Sequence, residues 1–186
     1  MQILGTDMRD SSHWKSTAYR THTIGQIIEN GSELLGKEVV IAGYAETVRG
    51  RGAICFLMLR DGTGKIQAFL KKDNMNEEVF DSIQNSTRES TVQVKGTVAQ
   101  KRPPKTAEGE SPPPPEYEIN VKFGSILADA IAPLPVGVID DVHVGLDVRL
   151  DNRHLDLRRM HVNAMFQLRS KVLEYGRGHL IKEGFM

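Results

Sequence analysis

Two aromatic rings, an amide and two cations recur at alternating positions between residues 56 and 69. In Ile54-Cys-Phe-Leu-Met-Leu-Arg60 one alternating set is Cys55, Leu57 and Leu59, and the other is Ile54, Phe56, Met58 and Arg60. In Lys65-Ile-Gln-Ala-Phe-Leu70 the sets are Ile66, Ala68 and Leu70 against Lys65, Gln67 and Phe69. Side chains alternate across a strand, so the purely apolar sets belong in a core and the mixed sets on one outward surface. That surface gathers what single-stranded RNA needs. Rings stack on bases at about 1–3 kcal/mol each, and cations meet phosphate. The Gln67 amide both donates to and accepts from a base edge. Arg49 and Arg51, in the glycine-flanked run Arg49-Gly-Arg-Gly52, add charge beside the same surface. Two plainer readings stay open: packing of Phe56 and Phe69 beneath a helix or loop, and simple solvated charge at the two arginines.

A second cluster, Arg149-Leu-Asp-Asn-Arg-His-Leu-Asp-Leu-Arg-Arg159, interleaves arginine, aspartate and leucine. Its Asp151 and Asp156 invite an acid–base reading. Carboxylates this close to Arg149, Arg153 and Arg158 are held ionised, which suits a structural tie better than proton transfer. The segment reads as a self-paired hinge with apolar pins. The six histidines lack metal-ligand spacing and a lone cysteine cannot build a zinc site, so no metal is expected.

The elements that would position these residues can be read along the chain. Residues 1–19 are polar and unpatterned, a mobile tail. A helix starts at Thr23, where Gln26 completes a capping box and Ile24, Ile27 and Ile28 form a stripe. Strands are expected over 38–48 (with Gly43 as a bulge or bend), 53–60, 65–72, 91–99 and from Tyr117 to Phe123, running on toward Leu127. Arg49–Gly52 reads as a loop and Asp61–Gly64 as a tight turn. A short helix is expected over 76–84, capped by Asn74. The insertion at 101–116 carries Pro103-Pro104 and four consecutive prolines from Pro112, favouring polyproline II in a solvated hairpin loop, with an SH3-type ligand as the alternative. Three strands, a short helix and two strands give the order of an OB-fold. The expected fold is an all-β, five-stranded Greek-key barrel with flanking helices over 20–130. A linker and hinge follow over 131–159. A helix over 160–186 carries Met165, Leu168, Val172, Tyr175 and His179 on one face, weakened by Gly176 and Gly178 and ended by Gly184. Left uncovered, that stripe predicts fraying beyond about Arg159 or self-association through the helix.

Composition narrows the function classes. Twenty-four basic and 24 acidic residues give a formal net charge of +0, so any RNA site is a local patch. Cys55 is the only cysteine, which rules out an internal disulfide and favours a cytoplasmic home. The N-terminus lacks a signal peptide's basic start and apolar run. No apolar run nears the roughly 18 residues that span a bilayer, so no membrane partner is expected.

The segments Arg20-Thr-His22, Val40-Ile-Ala-Gly-Tyr44, Arg49, Gly52, Phe56-Leu-Met-Leu-Arg-Asp61 and Ile66-Gln67 resemble the anticodon-binding domain of aspartyl-tRNA synthetases, chiefly their archaeal and eukaryotic branch. The hinge resembles that family's R-L-D-x-R-x-L-D-L-R signature, and the likeness covers nearly everything after residue 19. It implies a tRNA anticodon stem-loop as partner, aspartate-type or also asparagine-type. Phe56 would stack on a central uridine, Gln67 would hydrogen-bond it, and Arg49 would contact the loop. Glu46 matches a position beside the third anticodon base that is tryptophan or histidine in archaeal relatives. The insertion at 101–116, near that base in relatives, is longer and proline-rich here. Gly184-Phe-Met186 is similar to the opening of the class II motif 1. Motifs 2 and 3, whose domain uses ATP and Mg2+, are not seen. The chain is therefore expected to bind no cofactor and to be inactive alone, as the tRNA-reading part of an aspartate–tRNA ligase. A free-standing RNA-binding module and a protein-interaction module are the alternatives.

Overall fold

A computed structural model describes residues 19–101, 116–138 and 143–186. The tail before Tyr19 and the proline-rich run inside 101–116 lie outside these residues. Two compact units divide at Ala132/Pro133.

The first unit opens with α1 (Ile24–Glu29) and α2 (Gly31–Leu34). Three strands follow: β1 (Glu38–Arg51), β2 (Ile54–Arg60) and β3 (Lys65–Lys71). A 3-10 turn (Lys72–Asn74) and α3 (Glu77–Gln84) lead to β4 (Thr91–Gln100) and β5 (Tyr117–Ala128). The strands close into a barrel in the order β1-β2-β3-β5-β4, which is the expected OB-fold. All neighbours are antiparallel except β3 and β5. Cys55, Leu57, Leu59, Ile66, Ala68 and Leu70 are all in the core, so the alternation was read in the right phase. Ile24 and Ile27 of α1, with Phe80 and Ile83 of α3, complete that core.

Three expectations are corrected. Arg49–Gly52 is not a loop: Arg49, Gly50 and Arg51 pair with Phe56, Cys55 and Ile54, and the chain reverses at Gly52, where φ is +61°. The α3 cap is Asn76 rather than Asn74, because the Asn76 side chain accepts from the Glu78 and Val79 amides. Gly43 is not the bulge. It is glycine because a Cβ there would lie 2.6 Å from the Arg60 carbonyl oxygen. The bulge falls three residues on, where Glu46 is the extra residue between Ala45 and Thr47.

The turn between β2 and β3 also anchors α1. Asp61 Oδ1 accepts from the Thr63 amide at 2.7 Å and the Gly64 amide at 3.1 Å. Its Oδ2 accepts from the Ile24 amide at 2.9 Å, beside the Thr23/Gln26 capping box. One carboxylate thus shapes a turn and satisfies a helix N-terminus, two tasks whose amides otherwise go unpaired.

In the second unit the chain turns helical earlier than expected: α4 (Leu146–Asp151), α5 (Arg153–Asp156) and α6 (Met160–Lys182). Asp156, fully buried, is the hub. Arg149 Nε donates to it at 2.8 Å, Arg153 donates to its other oxygen, and Arg159 approaches to 3.8 Å. The hydrogen bond from Arg149 leads in holding the Asp156 carboxyl below its ordinary value of 3.8. The segment Arg149–Arg159 is thus tied internally through Asp156, and two of its residues are placed otherwise than its sequence suggested. Asp151, the last residue of α4, is exposed and makes no ion pair among the described residues. Arg159, which was not singled out, joins the hub, and Arg158 is half-buried on the same turn. Along α6 only Val162 is buried. Met165, Leu168, Val172 and Tyr175 are exposed as predicted, and Phe166, Leu173 and Leu180 widen the apolar arc. Gly184, at φ +86°, follows the helix end.

Two outcomes follow for stability. Asp61→Ala should cost about 2 kcal/mol, since amides bound to a charged acceptor lose it together; a urea titration followed by circular dichroism reads this. Asp156 is ionised more readily in the fold than in the unfolded chain. Its contribution is thus complete above the ordinary carboxylate pKa and lost as pH falls through the lower folded value. Thermal loss of the Leu155 and Val162 methyl signals in Asp156→Asn should therefore precede that of the wild type at neutral pH. The gap should close only below about pH 4.

Candidate nucleic-acid interface

The register of β1, β2 and β3 sets the outward side chains in three transverse rows. They are Arg49–Phe56–Phe69, Thr47–Met58–Gln67 and Tyr44–Arg60–Lys65. The strand extension that replaced the expected loop matters here, because it puts Arg49 directly opposite Phe56. The Phe56 and Phe69 ring centroids are 5.3 Å apart and tilted by 43°. Phe69 is half-buried and Phe56 is 41% exposed. One ring thus supports the other and leaves a π-face open to a ligand.

Glu46, Thr47, Arg49, Phe56, Met58 and Gln67 line a depression of about 420 Å³ on this surface. Gln67 Nε2 donates to a Glu118 carboxylate oxygen at 2.9 Å. A carboxylate only accepts, so this bond fixes which end of the amide faces Glu118 and leaves the Gln67 carbonyl oxygen free to accept. Glu118 was missed in the sequence. Its strand was recognised, but the parallel pairing that sets Gln67 opposite Glu118 joins strands distant along the chain.

The cations divide into two groups. Arg60 donates to Glu89 at 2.6 Å, reaches Glu46 at 3.3 Å and lies 5.7 Å from the centre of the Tyr44 ring. Lys65 bonds Glu46 at 2.7 Å. Both sit on the expected face, yet both are engaged by carboxylates whose approach the sequence did not signal. Arg49 and Arg51 make no ion pair among the described residues, and both are exposed. Cys55 lies in the core, where burial pushes its thiol up, so it serves packing. Among the described residues no group of three or more histidines, cysteines or carboxylates could hold a metal ion, and no helix is long and apolar enough to cross a membrane. The surface offers stacking, one fixed acceptor and local positive charge.

Residues 39–127 match the family described as an OB-fold nucleic acid binding domain, in its tRNA anticodon-binding branch. The barrel is a domain of that class. The chain is 37% identical over 168 residues to an aspartate–tRNA(Asp/Asn) ligase of Methanococcoides burtonii, covering 90% of this chain and 35% of the relative. A Methanocaldococcus jannaschii ligase of the same name is 36% identical over 167 residues, with the same coverage. Among solved structures, asparaginyl-tRNA synthetase from Pyrococcus horikoshii superposes with a TM-score of 0.67 at 29% identity, covering 82% of this chain and 32% of that one. Aspartyl-tRNA synthetase from Entamoeba histolytica shares the fold at a TM-score of 0.74 and 24% identity, covering 100% and 41%. The chain carries the anticodon-binding OB-fold domain found in aspartyl- and asparaginyl-tRNA synthetases. It spans about a third of the length of these relatives.

Proposed function

We propose that this barrel holds the anticodon stem-loop of an aspartate-type tRNA with a central uridine, and serves aspartyl-tRNA formation in the manner of an aspartate–tRNA ligase. The observation that carries the reading is the pairing of an exposed Phe56 ring with a Gln67 amide that Glu118 orients. A base stacked on Phe56 would present its edge toward Gln67. Uracil carries an N–H donor at the middle of that edge, which meets the free carbonyl oxygen; cytosine carries an acceptor there, which opposes it. Arg49 and Arg51 would meet loop phosphates and Phe69 would back the stacked ring, with Lys65, Arg60 and Glu46 at the other end of the same face. These contacts address a uridine shared by aspartate- and asparagine-type anticodons, so the reading extends to both tRNAs. Relatives named for both tRNAs support that breadth. Aminoacylation itself would draw on ATP and Mg2+ at a catalytic domain, and the described residues hold no candidate for it.

We further propose that α6 mediates self-association. Its exposed Met165, Phe166, Leu168, Val172 and Leu173 support this, since contiguous apolar surface mostly marks an interface. Sedimentation velocity should give a mass that rises with concentration, and Leu168→Glu with Val172→Glu should abolish the rise.

The RNA reading is tested by binding of an anticodon stem-loop with a central uridine. Phe56→Ala should weaken it by about 1–3 kcal/mol, and Arg49→Ala should flatten the salt dependence by about 0.7 in log–log slope. Equal affinity of wild type and Phe56→Ala, with the barrel intact by circular dichroism, would sink the assignment and favour a protein partner for this face.

A further inference from the structure

We propose that Glu46 is an electrostatic guard. It neutralises Lys65 and Arg60 so that they contribute little to phosphate binding, and recognition is left to stacking, the Gln67 acceptor and the outer arginines. The inference rests on the RNA-binding reading above.

A carboxylate on a surface that receives a polyanion needs an explanation. Glu46 is there because of the β-bulge: the extra residue between Ala45 and Thr47 adds one outward side chain between two rows of the face. Both its oxygens are engaged, Oε1 by Lys65 Nζ at 2.7 Å and Oε2 by Arg60 Nε at 3.3 Å. Glu89, nearly buried, takes a second edge of the Arg60 guanidinium at 2.6 Å. The four side chains carry two charges of each sign, so this end of the face is neutral while Arg49 and Arg51 beyond Phe56 are not. The mostly buried contacts of Arg60 with Glu89 and Glu46 serve the fold, but stability accounts poorly for the pairing of Glu46 with Lys65. The Lys65 ammonium is about half exposed, and an ion pair at such a site contributes little to folding. Its effect on a ligand is larger. Phosphate binding is independent of sequence and dominates affinity for bulk RNA. Removing a cation from that contribution lowers retention of every RNA alike, and leaves untouched the contacts that only a fitting base makes. Glu46 is by this account a selectivity device acting through charge, and it touches no base.

The test uses the full chain and two stem-loop RNAs that differ only in a central uridine or cytosine, titrated by fluorescence anisotropy across about 50 to 200 mM salt. Glu46→Gln keeps the shape and removes the charge. It should raise affinity for both RNAs by a similar factor of roughly three at low salt and steepen the log–log salt slope by about 0.7, the increment of one added phosphate contact on a single strand. Glu46→Gln combined with Lys65→Gln should restore the wild-type slope. Lys65→Gln alone, in a background where the ammonium is already neutralised, should leave the slope unchanged; this arm needs no change at Glu46. Loss of affinity for the uridine RNA alone in Glu46→Gln would mean that Glu46 reads a base and would overturn the proposal. So would a slope flattened by about 0.7 in Lys65→Gln, which would mean that Lys65 is already on a phosphate. If the wild type binds neither RNA, the RNA-binding reading itself falls; if it binds the uridine RNA while the variants behave otherwise than stated, only the guard falls.

Discussion

A three-residue parallel pairing holds this barrel closed. Gln67, Ala68 and Phe69 of β3 lie against Glu118, Ile119 and Asn120 of β5, and every other pairing in the ring is antiparallel. Without it the sheet would be an open ribbon with two free edges, and Leu70, Ile119 and Ala68 would lose their enclosure. The same three pairs set the chemistry of the outer face. Ala68 and Ile119 go inward, so Gln67 and Glu118 must go outward side by side. Closing the core and orienting the amide are therefore one event. Because the partners are 51 residues apart, the order in the site depends on a non-local contact whose closure carries a loop-entropy cost.

How far the sequence discloses such a site depends on the range of the interaction. Alternation in β2 and β3 is local, and it correctly divided Cys55, Leu57 and Leu59 from Phe56 and Arg60. Thr23 and Gln26, three residues apart, disclosed their capping box for the same reason. Glycines misled where their cause was not local. Gly50 and Gly52 looked like a loop, yet strand pairing continues to Arg51 because β2 offers a partner at every position. Gly43 looked like a bulge, yet its cause is a carbonyl on the neighbouring strand. The partners of Gln67, Arg60 and Lys65 were the least legible. Glu118 and Glu46 reach them from neighbouring strands and Glu89 from the turn before β4, and no periodicity encodes that meeting.

The two charged clusters are built alike at different depths. In the second unit three arginines converge on one buried aspartate, and the desolvation of Asp156 is offset by hydrogen bonds at short range. Asp156 therefore serves geometry, tying α4 to α5 and to the start of α6. On the barrel the pairs grade outward: Arg60 with Glu89 is mostly buried, while Lys65 with Glu46 lies where solvent screens the attraction and little stability results. There the pairing decides which charges stay available to a ligand. Position relative to solvent, rather than residue type, separates a structural ion cluster from one that tunes binding.

That distinction resolves what looks contradictory in the composition. A chain with a formal net charge of +0 makes a poor general binder of nucleic acid. A protein that must find one loop among abundant RNA gains from that weakness, because affinity drawn from phosphate is spent equally on every sequence. Stacking on an exposed ring such as Phe56 would tolerate any base, so it would fix position without choosing. On the proposed reading, choice would be left to the Gln67 amide, whose donor end is held by Glu118. An amide free to rotate would accept uracil and cytosine alike, by presenting its oxygen to one and its nitrogen to the other. Holding the amide in one sense makes the wrong base leave two acceptors facing each other, and an unsatisfied polar contact excluded from water costs more than a good one contributes. On the proposed reading, discrimination on this face would depend on rigidity supplied by Glu118, a residue that need not touch the RNA, which ties it back to the β3–β5 closure.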